Sequence, residues 1–238
     1  MSFEYELHEE NISSLKTGDV FLGSTSPGLL FPEKFQASWF AFIERYILRY
    51  KFTHCGCIVA RSQKRLLWES STTCQEDIDT KEAIIGCRLT ALRDRIEEYP
   101  GEIWCRRLIL NDEEKMRDKV DEKIEDIIKM YRGRPFEKSR WEMFLAHYDG
   151  IGGMNKTNES SLFCSELLAA TYQHLGFLKF PPFGLPSNEY TPRDFSCSDQ
   201  KGEYMDFVDV SLSDEFPIKT KIDLPDAIQS KEPELCLY

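Results

Sequence analysis

Of the eight cysteines in the chain, one stands where a thiol can become a nucleophile. Cys164 follows a polar, glycine-rich stretch (Gly150, Gly152, Gly153, then Asn155 to Ser161) and opens a run of strong helix formers that Gly176 stops. Leu167, Leu168, Thr171, His174 and Leu175 recur at the period of one helix face. The spacing predicts a helix with Cys164 at or near its first turn. Unpaired backbone N–H groups and the macrodipole favour an anion there. A thiol so placed can fall from a pKa of about 8.5 to roughly 3.5–7.5. A cysteine packed into the core fits the same pattern, because reduced cysteines are among the most buried residues.

A thiolate nucleophile needs a base, and the base needs a polar group to orient it. Four histidines are available: His8, His54, His147 and His174. His174 shares the predicted helix of Cys164 but lies about three turns on, roughly 15 Å away. His8 falls in an N-terminal arm, and His147 in an apolar-flanked helical stretch that suits a core histidine. His54 is the best placed, on a predicted strand from Thr53 to Ala60 with Gly56 on its own face. The hairpin partner, Arg65 to Ser70 across Arg61 to Lys64, carries Glu69 beside Leu67 and Trp68. A carboxylate in such apolar company normally has a partner, and an imidazole N–H is a good one. An outward-facing surface carboxylate is the other reading of Glu69. His54, Cys55 and Cys57 look like a metal cluster on paper, but period two puts the histidine on one face and both thiols on the other. No second Cys/His pair has zinc spacing, so no metal site is predicted, and Cys55 and Cys57 read as small core residues.

The elements that must position these groups follow from periodicity and punctuation. A turn at Lys16-Thr17-Gly18-Asp19 feeds a short strand, Val20 to Gly23. Phe35, Trp39, Phe42, Ile43, Tyr46, Ile47 and Tyr50 form the stripe of an aromatic helix, either packed on the core or roofing a hydrophobic acyl site. Further strands are expected at Ala83 to Leu89 and Glu102 to Leu110, with a short helix from Leu92 to Tyr99 between them. Asn111 or Asp112 caps a helix running to about Tyr131, with Val120, Ile124, Ile127 and Ile128 on its buried side. A short helix at Ser139 to Tyr148, a proline-rich loop at Phe180 to Pro186 and a last strand at Tyr204 to Leu212 complete the plan. The expected organisation is one domain over residues 1–212, then a polar, loosely ordered tail over 213–238.

Composition narrows the function classes. The 238 residues are 41% hydrophobic and 30% charged, with a formal charge of −11. That balance disfavours nucleic acid, which needs a basic footprint, and simple electrostatic docking to anionic lipid. Trp39 to Tyr50 is interrupted by Glu44, Arg45 and Arg49, so no transmembrane segment is predicted, although peripheral membrane contact stays open. Met1 to Glu6 shows no basic region leading an apolar one, which predicts a cytoplasmic chain with reduced thiols. Oligomeric state does not follow from these features.

Six short pieces in order carry a resemblance: Leu15-Lys16-Thr17-Gly18-Asp19-Val20, Thr53-His54-Cys55-Gly56, Trp68-Glu69, Gly133-Arg134-Pro135-Phe136-Glu137, Phe163-Cys164-Ser165-Glu166-Leu167 and Thr191-Pro192-Arg193-Asp194-Phe195. The series resembles the permuted NlpC-type papain-like cysteine hydrolases of the YaeF/YiiX group over about residues 15–196. The resemblance implies an α+β, circularly permuted papain-like fold, an antiparallel sheet or half-barrel packed against helices. It maps Cys164 onto the nucleophile, His54 onto the base and Glu69 onto the orienting residue, with Gly18-Asp19 at the turn entering the first barrel strand. The implied reaction is hydrolysis of an amide or ester through a Cys164 acyl-enzyme, with no cofactor and no metal. The substrate expected is a small-molecule amide, an amino-acid conjugate or a lipid. A lipid-directed thiol acyltransferase or deacylase is the first alternative, suggested by the aromatic residues 29–50, and a catalytically silent binding module on the same fold is the second.

Overall fold

The apolar runs become nine strands among the described residues of a computed structural model, which are 4–25, 51–136, 162–198 and 205–222. Seven of them form one sheet: β1 (Tyr5–Leu7), β2 (Val20–Thr25), β3 (His54–Arg61), β4 (Lys64–Glu76), β5 (Ala83–Ala91), β6 (Gly101–Arg106) and β9 (Phe216–Lys221). The spatial order is β1-β9-β6-β2-β3-β4-β5, and each neighbouring pair is antiparallel. The short β7 (Leu108–Leu110) and β8 (Val210–Leu212) pair separately. Helices α1 (Glu9–Ser13), α2 (Leu92–Glu98), α3 (Glu113–Tyr131) and α4 (Cys164–Leu175) pack around the sheet. The result is a mixed α/β architecture, an antiparallel sheet packed against a few helices.

Both faces of the central strands are covered. On one side Cys55, Cys57, Val59 and Trp68 pack with apolar residues of α3 and α4. On the other Phe21, Ile58 and Leu67 pack with Leu92 and Ile96 of α2. Covered on both faces, β3 is buried without a break from Cys55 to Val59. Truncating a fully buried residue such as Leu67 to alanine would cost about 2–5 kcal/mol.

Helix α4 is more enclosed than its sequence suggests. One apolar stripe is expected, yet Ser165 to Gln173 are all buried and only the two ends reach solvent. Ala169 and Ala170 are small enough to accept neighbours on the remaining sides, so the helix runs through the middle of the structure. Gly176 ends it at φ 88°, a left-handed position that glycine adopts without the usual Cβ penalty. Asp112 caps α3 as expected, its carboxylate accepting the Lys115 N–H at 3.2 Å.

Three boundaries differ from expectation. The run Glu102 to Leu110 divides at Arg107, whose N–H donates to Ser213 Oγ at 2.8 Å, while the Arg106 guanidinium takes the carbonyls of Phe195 and Leu212. The chain thereby leaves the large sheet for the small ladder. The last predicted strand shrinks to β8, because Asp209 takes a positive φ of 57° and Phe207 makes only an isolated bridge to Leu178. Residues 216–221, expected within a loose tail from 213 onward, instead form β9 inside the sheet, between β1 and β6. Pro217 and the flanking charges hid this strand, but Ile218 is fully buried, and the Lys219 ammonium donates to Ile96 O (2.8 Å) and Tyr99 O (2.7 Å). Lys219 thus caps the C-terminal end of α2. The aromatic helix, Ser139 to Tyr148 with His147, the glycine-rich lead-in and residues 223–238 lie outside the described residues. No helix among the described residues is long and apolar enough to cross a membrane.

Candidate active site

Cys164, His54 and Glu69 come from three elements, α4, β3 and β4. Cys164 is the first residue of α4 and half-buried, at the helix end where backbone N–H groups lack intrahelical acceptors. Its approach is fixed from two sides. Ser70 Oγ donates to Leu162 O at 2.6 Å, and Leu162 N–H donates to Pro135 O at 3.1 Å. Phe136 meets Phe163 edge to face at 5.7 Å, and the Glu166 carboxylate accepts the Phe163 N–H at 3.3 Å. The segment Arg134 to Phe136 lies across Gly86 so closely that a Cβ there would sit 2.1 Å from Arg134 O.

His54 opens β3, opposite Gly23 of β2. Its Nε2 donates to Glu69 Oε2 at 2.6 Å, and the imidazole lies close enough to the Cys164 thiol to lower its pKa. Two glycines make the space for this. A Cβ on Gly56 would approach Leu67 and the Trp68 carbonyl to 2.9 Å and Glu69 Cβ to 3.4 Å, so the bare Gly56 lets Glu69 reach the ring. A Cβ on Gly23 would lie 2.3 Å from the Tyr99 hydroxyl, and Tyr99 stacks on the imidazole at 6.3 Å with 25° between planes. Phe21 closes the other side edge-on at 6.1 Å.

Glu69 is wholly removed from solvent, a placement that costs several kcal/mol per ion unless it is matched by charge and hydrogen bonds. Two arginines supply the match. Arg88, directly across from Glu69 on β5, donates Nη2 to Oε1 at 2.9 Å, and Arg95 of α2 donates Nε to Oε1 at 3.0 Å. Burial pushes the Glu69 pKa upward, but Arg95, His54 and Arg88 outweigh it and hold the carboxyl well below the usual range. Burial likewise disfavours charge on His54, yet the Cys164 sulfur and then Glu69 raise its pKa to about 9. Glu69 thus shares its charge between two guanidiniums while holding the His54 ring at 2.6 Å.

The Cys164 thiol is lowered well below its ordinary value. A hydrogen bond from the Cys55 thiol contributes most, burial opposes it, and the His54 imidazole and the Cys55 backbone N–H add to it. Both shifts favour a thiolate beside an imidazolium. The face assignment from period two holds along β3, with Ile58 on the α2 side and Cys57 and Val59 on the α4 side. At the start of the strand, His54 lies beside Phe21 and Tyr99 while Cys55 packs on the α4 side.

The structure thus brings Cys164, His54 and Glu69 together, and it does not bring the other described histidines. His174 pairs with the Tyr131 hydroxyl at 2.9 Å at the far end of α4, and His8 with Thr220 Oγ1 at 3.1 Å. Among the described residues no cluster of three or more His, Cys, Asp or Glu could hold a metal ion. Sequence reasoning overlooked Arg88, Arg95 and Cys55. The signal for Arg88 is its place in the otherwise apolar β5, opposite Glu69. Arg95 has no comparable signal, because α2 carries charged residues on both sides of it. Asp19 serves the fold, accepting the N–H groups of Lys16 and Leu108 at 2.9 Å each and so holding the turn before β2.

In comparisons with known proteins, no family model matches the chain and no curated protein matches it. Among solved structures, the crystal structure of the metalloprotein YiiX from Escherichia coli O157:H7 superposes with a TM-score of 0.43 at 17% identity, covering 68% of this chain and 67% of that one.

Proposed function

We propose that this protein is a thiol hydrolase that cleaves an amide or ester bond through an acyl-enzyme on Cys164, on a circularly permuted papain-like arrangement. One observation carries the reading: a Cys164 thiol at the tip of α4 lies close enough to His54 for the imidazole to lower its pKa, and that ring donates Nε2 at 2.6 Å to a fully buried, arginine-held Glu69. A purely structural ion pair has no need of an activated thiol beside it.

The chemistry follows from the parts. The Cys164 thiolate attacks the carbonyl carbon, and the developing oxyanion lies toward the first-turn N–H groups of α4, where the helix dipole favours negative charge. His54, protonated near neutrality, gives its Nδ1 proton to the leaving nitrogen or oxygen as the carbonyl re-forms. The neutral ring then takes a proton from water, the resulting hydroxide adds to the thioester, and the sulfur departs as thiolate beside a renewed imidazolium. Glu69 keeps the ring from rotating out of line through both steps. A lipid-directed acyl transfer would use the same acyl-enzyme, but its sequence signal at residues 29–50 lies outside the described residues.

The test is a panel of amides and esters assayed with wild type and Cys164→Ala, alongside mass mapping of an electrophilic acyl probe. Hydrolysis that vanishes in the variant, with the probe on Cys164, supports the reading. Unchanged hydrolysis in Cys164→Ala, with no label on Cys164, overturns it and leaves a binding module.

A further inference from the structure

We propose that Tyr99 is a positioning residue for His54: its aromatic ring, and not its hydroxyl, sets the tilt of the imidazole that Glu69 holds by one edge. The inference rests on His54 serving the proposed hydrolase as acid and base, but one of its readouts needs no turnover.

The bond from His54 Nε2 to Glu69 Oε2 at 2.6 Å anchors the far edge of the imidazole. That edge straddles the Cβ–Cγ axis, so a hydrogen bond there restrains rotation about χ2 only weakly. The χ2 torsion of a histidine is intrinsically broad. Rotation about it sweeps Nδ1, which lies well off the axis and carries the proton for the leaving group. A second restraint on the face of the ring is therefore needed. Tyr99 supplies it, with 25° between the ring planes and centroids 6.3 Å apart, inside the range of offset aromatic pairs. Phe21 meets the imidazole edge-on from another direction.

Tyr99 is itself held from several sides. It is 4% exposed, Phe21 packs against its ring at 5.9 Å, and its carbonyl accepts the Lys219 ammonium at 2.7 Å. The Arg95 guanidinium lies over its ring at 5.0 Å, while Arg95 Nε donates to Glu69 Oε1 at 3.0 Å. One arginine thus grips both supports of the histidine, the carboxylate at its edge and the aromatic ring at its face. The backbone makes room for the arrangement. Gly23 pairs with His54 across β2 and β3, and a Cβ on it would lie 2.3 Å from the Tyr99 hydroxyl and 2.4 Å from Cζ. Its φ is not left-handed, so what glycine provides here is space rather than conformational freedom. A side chain is left out of β2 opposite the histidine, and the end of Tyr99 occupies its place.

Three variants separate the ring from its surroundings. Tyr99→Phe keeps the aromatic face, Tyr99→Leu keeps apolar bulk without it, and Gly23→Ala retains every side chain of the site but drives a methyl into the tyrosine. Each is assayed below its melting temperature for hydrolysis of amides and esters, and by NMR of ¹⁵N-histidine-labelled full chain for exchange of the His54 Nε2 proton with water. Tyr99→Phe should match wild type in both readouts. Tyr99→Leu and Gly23→Ala should lower kcat by about 10- to 100-fold, as a misaligned acid does, with KM held within about twofold and faster exchange of the Nε2 proton. Gly23→Ala decides the matter where the leucine variant does not fold. Three results overturn the proposal: unchanged kcat and exchange in Tyr99→Leu and Gly23→Ala, an equal loss in Tyr99→Phe, or a raised KM with kcat kept. Wild type without hydrolysis would sink the proposed function, and proton exchange alone would then decide whether Tyr99 holds the ring.

Discussion

The ion pair between Cys164 and His54 makes a demand on the pH dependence of two reactions at once. An ordinary thiol with a pKa near 8.5 is about 3% ionised at pH 7, and its alkylation rate climbs nearly tenfold per pH unit toward that pKa. Cys164 is held as thiolate well below that range, so its alkylation by iodoacetamide should be flat from neutrality through pH 9. The absolute rate is a poor guide, because each unit of lowered pKa reduces intrinsic nucleophilicity roughly threefold, at a Brønsted slope of about 0.4–0.5. The slope against pH is decisive. The proposed hydrolysis differs on the alkaline side: it needs His54 protonated to release the leaving group, so kcat/KM should fall as pH rises through about 9 while alkylation stays level. In His54→Ala the imidazolium is gone, the thiol moves back upward, and alkylation should regain a rising limb. Stopped alkylation at fixed pH with peptide-level mass readout measures this for Cys164 among eight thiols. A wild-type Cys164 rate that climbs with unit slope between pH 7 and 8.5 refutes the ion pair.

Other expectations concern the support around it. Arg95→Ala removes one of the two guanidiniums on a fully buried carboxylate, and should cost about 3–5 kcal/mol, lowering Tm by roughly 6–20 °C in a melting experiment. Glu69, whose folded pKa is depressed, contributes its stability above its unfolded value of about 4.3 and loses it as pH falls through the folded value; the stability gap between wild type and Glu69→Gln should therefore hold above about pH 5, begin to narrow below about pH 4, and close only as pH falls through the folded value. Gly56→Ala drives a methyl to 2.9 Å from Leu67 and the Trp68 carbonyl, beside Glu69; about 1–3 kcal/mol of overpacking should show in denaturant melts, with kcat falling as Glu69 is displaced from the ring. Gly176→Ala forces a left-handed residue at a position with open space around it, so about 1–2 kcal/mol should be lost with the alkylation profile unchanged.

The sequence made the nucleophile helix, the histidine hairpin and α3 legible, because each combines a clear period with a cap or stop: Cys164 before a helical run closed by Gly176, His54 and Gly56 at strand spacing, Asp112 ahead of Val120 and Ile124. Glu69 was readable only as a carboxylate in need of a partner. Its partners depend on register, which pairs it with Arg88, and on a helix crossing, which brings Arg95 from a separate element; neither is written in local pattern. Cys55 reads as core from its place on β3, and it is fully buried there. The strand at 216–221 was hidden because a proline and lysines mask a period that only Ile218 and the snorkelling Lys219 reveal.

That late strand has a consequence for biosynthesis. β1 has no partner in the sheet except β9, β6 is left with an open edge until β9 arrives, and the ammonium that ties down the end of α2 belongs to Lys219. Every residue of the sulfur–imidazole–carboxylate line has been synthesised well before Phe216. A nascent polypeptide ending at Leu212 therefore carries the complete reactive set on an unfinished scaffold, with the Arg95 helix untied. The helix that presents Arg95 to Glu69 is therefore fastened at its C-terminal end only after residues 216–221 have been made.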